Sequence, residues 1–129
     1  MAKTAMDLVA EARARIKEIN ADQLEAKLGQ APVIVDVREP AEFQQGHVFG
    51  AVNIPRGVLE FEVAAHSDVA SRVAPELTVQ DANLVLYCRT GGRSALAADS
   101  LQQMGFSNVE SLEGGFLGWE AAGKPIRQT

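Results

Sequence analysis

The stretch ANLVLYCRTGGRSALAADSLQQMG, residues 82–105, changes character twice. Leu84, Val85, Leu86 and Tyr87 form a continuous apolar run, too short for a helix and suited to a strand buried on both faces. Gly91 and Gly92 end that run. Residues 93–105 then place Ala97, Leu101 and Met104 on one helical stripe, with Gly105 as the cap. A strand, a glycine turn and a helix in immediate succession are the unit of an α/β fold with a parallel sheet.

The same unit recurs on either side. Upstream, Val33, Ile34, Val35 and Val37 are a second buried strand. It is followed by a short helical turn opened by Pro40 and closed by Gly46. AVNIP, residues 51–55, is a brief strand stopped by proline, and residues 58–73 contain one or two helices before Pro75. Downstream, residues 108–115 give a last short strand and residues 116–123 a last helix. Before the first strand, Asn20 and Gln23 form a capping box for a short helix ending at Gly29. Ahead of that, Val9, Ala12, Ile16 and Ile19 recur at helical spacing. The chain therefore divides into an N-terminal amphipathic helix extension over residues 1–19 and a domain over residues 20–129.

Bulk properties narrow the function. The 129 residues suit one domain with its own core, 47% hydrophobic and 22% charged. A net charge of −5 argues against a nucleic-acid-binding surface. The sequence has no long apolar run that would span a membrane. The N-terminus mixes Arg13 and Arg15 with Asp7, Glu11 and Glu18, unlike a transit peptide. A cytoplasmic location is expected, with one cysteine excluding an internal disulfide.

That cysteine, Cys88, stands at the junction of strand and glycine turn, with Arg89 beside it and Arg93 five residues on. In open α/β sheets ligands bind at the carboxyl ends of the strands. A glycine turn entering a helix presents several N–H groups in one direction, and with the helix dipole these bind anions. Gly91 and Gly92 permit positive φ and close approach of a ligand. A thiol of ordinary acidity is only about 3% thiolate at neutral pH, and this ring of donors favours the thiolate. A lone cysteine at a strand end is otherwise a small buried hydrophobe. The conjunction within ten residues favours a nucleophile inside its own anion cradle, built from Arg89, Thr90, Gly91, Gly92, Arg93 and Ser94.

CRTGGRS resembles the active-site loop of the rhodanese, or thiosulfate sulfurtransferase, family. VIVDVREPAEFQQGHVFGAVNIP resembles the family's first-strand motif and Gly-His turn, and SLEGGFLGWEAAGKPI its C-terminal Gly-Gly and Trp helix. The likeness runs over residues 20 to 127 and implies an α/β, rhodanese-like fold: a central, mainly parallel sheet with helices on both faces. It also implies a chemistry. Cys88 would take the outer sulfur of thiosulfate as a persulfide and pass it to cyanide or a thiol, a protein thiol among the candidates. Arg93 would close the cradle and suit the sulfonate end of the donor. Arg89 would attract anions from the rim.

Two alternatives remain open. Related rhodanese-like phosphatases and arsenate reductases carry a nucleophile loop one residue longer; here Cys88 to Arg93 is the shorter C-x4-R form. A rhodanese-like module that only binds a partner is the other, although inactive members commonly lack the cysteine. No cofactor is expected, since one cysteine and two distant histidines are too few for zinc. His47 reads as a turn residue and His66 as a helix-surface residue in a segment that could overhang the site. Asp36 reads as a fastener between loops, and Arg38 as the ion-pair partner of Glu39 or Glu42. Arg56, following Pro55, is a candidate for the pocket rim. Ser94 is a helix-start residue, and Phe106, Phe116 and Trp119 belong to the core.

Overall fold

A computed structural model describes residues 2–71 and 78–128. In chain order the elements are α1 (Ala5–Arg13), β1 (Lys17–Ile19), α2 (Ala21–Lys27), β2 (Val33–Asp36), α3 (Pro40–Gln45), β3 (His47–Val48) and β4 (Val52–Asn53). There follow α4 (Leu59–Glu62), α5 (Ser67–Ala70), β5 (Leu84–Tyr87), α6 (Gly92–Gln103), β6 (Val109–Leu112), α7 (Gly115–Ala121) and β7 (Ile126–Arg127). Five strands form one sheet in the order β1-β6-β5-β2-β4, and every pairing in it is parallel. β3 and β7 make a separate antiparallel ribbon.

Strand alternation sorts the core into two layers. Val33, Val35, Leu84, Leu86 and Cys88 turn to one face, against Ala97, Ala98 and Leu101 of α6 and Leu59 and Val69 of α4 and α5. Ile34, Val85 and Tyr87 turn to the other, against Leu24 of α2 and Phe116 and Trp119 of α7. Helices on both faces cover a fully buried central strand, β5. This parity directs the Cys88 side chain toward the α6 side, a point that governs its chemistry below.

The N-terminal segment departs from the expected single helix. α1 stops at Arg13, and residues 17–19 join the central sheet as its edge strand beside β6. The spacing of Val9, Ala12, Ile16 and Ile19 satisfies a helix, but the bidentate pair of Arg15 with Asp99 on α6, at 2.9 and 2.7 Å, fastens the chain where it turns into the strand. Ile19 is then buried from the sheet, beside Leu24 and Leu112. The family likeness begins after this strand, so the extension over residues 1–19 holds a strand of the main sheet as well as a helix.

Other local expectations meet their physical limits. The Asn20–Gln23 capping box is present, both bonds at 2.8 Å. Gly29 is not the stop: the chain continues into a 3-10 turn, Leu28–Gln30, and Ala31 takes the left-handed conformation at φ 52°. Met104 sits past the last turn of α6 and is exposed, while Ala97 and Leu101 are buried. The segment after Arg56 is broken into α4 and α5 by a 3-10 turn. Arg72, Val73 and Pro75, the end of the helical stretch expected there, lie outside the described residues.

Candidate active site

β5 ends at Tyr87 and α6 begins at Gly92, so Cys88 is the first residue off the central strand and its loop spans only Arg89, Thr90 and Gly91. Gly91 adopts φ 117°, a region costly for any side chain, and this turns its N–H inward to donate to Cys88 Sγ at 3.1 Å. Of the two glycines expected to need such freedom, Gly91 uses it, whereas Gly92 opens the helix. The Gly91 carbonyl accepts from the Ala95 amide at 3.0 Å and the Ser94 hydroxyl at 3.2 Å, locking the turn onto α6.

Cys88 is 2% exposed. Burial pushes its thiol pKa up, but hydrogen bonding from the Ser94, Gly91 and Thr90 amides, with the Ser94 side chain beside them, outweighs it, leaving the thiol below its ordinary value. Ser94 is fully buried, and its Oγ lies 2.9 Å from Ser111 Oγ at the end of β6. Ser111 had no signal in the sequence; it enters because β6 lies beside β5. Of the residues expected to form the cradle, Arg89, Thr90, Gly91, Gly92, Arg93 and Ser94, the amides of Thr90, Gly91 and Ser94 act on the thiol.

The two loop arginines have different surroundings. Arg93 is drawn outward into a two-point ion pair with Glu42 of α3, at 2.9 and 3.1 Å. That pair holds the Glu42 carboxyl at about 2, against the effect of burial. Arg89 instead lines a cleft of about 280 Å³ beside the loop, together with Arg38, Glu42, Phe116, Leu117 and Glu120. Arg38 does not pair with Glu39 or Glu42. It is buried and forks onto Asp36 at 3.0 and 2.7 Å, with a further bond to the Gly46 carbonyl at 2.6 Å. Asp36 is fully buried and so holds loops together without reaching the cleft.

Arg56 is engaged away from the cleft: it donates to Glu60 at 3.0 and 2.9 Å and to Ser100 at 3.2 Å. His47 is buried, stacked on Phe43 at 3.7 Å between ring centroids, with Nδ1 donating to the Phe43 carbonyl. His66 caps α5 by accepting from the Asp68 amide. Phe106, Phe116 and Trp119 are buried, and Phe116 also walls the cleft. Among the described residues no group of three or more His, Cys, Asp or Glu side chains could hold a metal ion, and no helix is long and apolar enough to cross a membrane.

A glycine pair completes the site. Gly115 at φ 55° lets α7 approach so closely that a Cβ there would meet the Cys88 and Arg89 carbonyl oxygens at 2.6 Å. The Phe116 and Leu117 amides donate to those same carbonyls, at 2.8 and 3.1 Å. The loop is therefore held by helices before and behind it.

Residues 20–122 match the rhodanese-like domain family. The chain is 31% identical to a sulfurtransferase of Allochromatium vinosum over 113 residues, 86% of this chain and 94% of that protein. It is 33% identical to the thiosulfate sulfurtransferase GlpE of Ectopseudomonas mendocina over 105 residues, 81% of this chain and 85% of that one. In three dimensions it resembles a Rhodopseudomonas palustris protein of unknown function, described as a possible tyrosine phosphatase. That likeness has a TM-score of 0.80 and 35% identity, covering 98% of this chain and 96% of that one.

Proposed function

The chain belongs to the rhodanese-like sulfurtransferase family, and from that footing we propose that it moves a sulfane sulfur from thiosulfate, or from a persulfide or polysulfide, to a thiol or cyanide through a persulfide on Cys88. The observation that carries this reading is the Gly91 amide donating to Cys88 Sγ at 3.1 Å inside an amide-lined turn at the start of a 12-residue helix. Such a cradle favours a thiolate before attack and a persulfide anion after it.

The two half-reactions balance as follows. The Cys88 thiolate attacks the outer sulfur of thiosulfate; a sulfur–sulfur bond forms, the original one breaks, and sulfite leaves with the electron pair. An acceptor thiolate, or cyanide, then attacks the terminal sulfur of the persulfide. The bond to Cys88 breaks, the thiolate is regenerated, and a new persulfide or thiocyanate departs. Two successive covalent steps give ping-pong kinetics. Sulfite leaves as a stable anion and needs no proton.

Phosphoryl transfer, the reading attached to the Rhodopseudomonas protein, fits less well. An alcohol leaving group is helped by a proton donor, and Glu42, the carboxyl paired with the loop arginine, is held low by that pair and does not supply one. The C-x4-R spacing between Cys88 and Arg93 is also the shorter form of the loop.

Intact-protein mass spectrometry after incubation with thiosulfate tests the proposal. The expected result is a gain of one sulfur atom, removed by cyanide or thiol and absent from Cys88→Ser. No gain with thiosulfate or with a low-molecular-weight persulfide, together with turnover of an aryl phosphate, would replace sulfur transfer by phosphatase chemistry.

A further inference from the structure

Helix α1 lies outside residues 20–122, yet it reaches the sulfur-carrying loop. Val9 and Ala12 pack on Ala95 of α6, and the Arg15–Asp99 pair pins the segment that follows. This places Val9 Cγ2 within 3.7 Å of where a Cβ on Gly92 would stand. It also lays the side chain of Arg13, the last residue of α1, against the turn itself: Nη2 is 3.1 Å from the position of a Cβ on Gly91.

Gly91 is the residue whose amide holds Cys88 Sγ and whose carbonyl accepts from α6, so a group lying where its Cβ would stand borders the turn that aims that amide. The guanidinium lying there is incompletely paired. Among the described residues its partner is Glu18 of β1, with Nε to Oε2 at 3.5 Å, and Glu18 Oε2 makes no hydrogen bond. The η nitrogens are thus left beside the loop, on a side chain 39% exposed.

We propose that Arg13 is a positioning residue of the active-site loop, seating the Gly91 turn and adding a fixed positive charge beside the amide that holds the Cys88 sulfur. The proposal rests on Cys88 being the sulfur carrier. It makes the N-terminal helix part of the site, adding a side chain to the Gly91 flank that residues 20–122 border only with the Leu112 carbonyl and the Gly114 amide. The other charges around Cys88 are Arg89 and the Arg93–Glu42 pair, the buried Asp36–Arg38 pair at the end of β2, and Glu120 in the cleft. Glu18 of β1 lies beside Arg13, and Glu113 follows β6 next to β1. These groups are common to all the variants compared, except where one is itself replaced.

The test is the rate of Cys88 alkylation by iodoacetamide as a function of pH in the full chain, for wild type, R13Q, R13K and E18Q. Removing the charge in R13Q should raise the midpoint by about half a pH unit, near the Coulomb effect of one screened charge, and slow alkylation about threefold at neutral pH. R13K should fall close to wild type, and E18Q, which removes the opposing charge, should shift the midpoint downward. An R13Q profile superposing on wild type, or R13K falling with R13Q, overturns the proposal. Alkylation does not require sulfur transfer. A wild-type chain that alkylates with a low midpoint but takes no sulfur from any donor would fail the functional reading, while the same profiles still decide the role of Arg13.

Discussion

Glu42 and Arg93, 51 residues apart, meet in a two-point ion pair that neutralises much of the loop's second arginine and places a carboxylate at the edge of the cleft. The arrangement is a balance. On the proposed reading, an anionic donor would meet an arginine already paired and a cleft lined by both signs: Arg38 and Arg89 against Glu42 and Glu120. The strongest local attraction for an anion is therefore the amide turn itself.

This pairing predicts unequal effects for the two loop arginines. Arg93→Ala removes a cation and also leaves the Glu42 carboxylate unpaired beside the donor's path. The KM for thiosulfate should rise roughly fivefold, in keeping with about 1 kcal/mol for one partly exposed charge. Arg89→Ala, which leaves no carboxylate stranded, should raise it less. Adding Glu42→Gln to Arg93→Ala should recover part of the loss. Steady-state kinetics on the four proteins decide the matter, and equal losses at the two arginines would contradict it.

The same pair gives stability a pH dependence of definite sign. The Glu42 carboxyl is lowered from 4.5 to about 2 in the folded chain, so the unfolded chain binds its proton first as pH falls. The stabilisation is complete above about 4.5 and is lost as pH descends toward 2. With side chains 40% and 32% exposed, solvent screening limits it to about 1 kcal/mol or less. Urea unfolding of wild type and Glu42→Gln should differ at neutral pH, and the difference should shrink steadily below about pH 4.5 and vanish only toward pH 2. A constant difference across that range would mean Glu42 is not ionised through this contact.

Arg38 and Asp36 show a deeper version of the same chemistry. Both are buried, and the guanidinium also lies 4.6 Å from the Phe116 ring centroid. Arg38→Met strands an ionised Asp36 in the interior and should cost about 3–5 kcal/mol. Arg38→Lys keeps the charge but loses the fork, and should fall between. Arg38→Met with Asp36→Asn should regain much of the loss. Denaturant midpoints measure all four, and a near-neutral Arg38→Met would show that the pair is not what closes β2 against Gly46.

The two central strands and α6 were legible because their signals are local: β-branched or apolar runs of strand length, a glycine break, then a helical stripe. The Asn20–Gln23 box was legible for the same reason. Residues 14–19 were not, because Ile16 and Ile19 suit a helical period and an edge strand equally, and only pairing with β6 decides between them. The position of Cys88 followed from the strand's end; that its side chain is buried toward α6 is seen only in the structure. The partners of the charged residues did not follow. Glu42 with Arg93, Arg56 with Ser100 and Arg13 against Gly91 span 51, 44 and many residues of sequence, joined only by sheet order and helix packing.

The closeness of α7 to the loop makes Gly115 the most demanding glycine near the site. A methyl group there would fall 2.6 Å from two backbone oxygens, which cannot swing aside as a side chain could, and the residue's φ of 55° adds strain of its own. Relief requires α7 to withdraw, which breaks the bonds from the Phe116 and Leu117 amides to the Cys88 and Arg89 carbonyls. Gly115→Ala should therefore destabilise the fold by about 2 kcal/mol or more and slow both alkylation and sulfur uptake at Cys88. Gly118, three residues on in the same helix, has no atom within 4 Å of a built Cβ. Gly118→Ala should leave the site unchanged and add up to about 1 kcal/mol of helix stability. Thermal unfolding and alkylation rates of the two variants separate a close backbone approach from a general intolerance of α7 to substitution. If Gly115→Ala matched Gly118→Ala in both measurements, the loop would owe its shape to α6 alone.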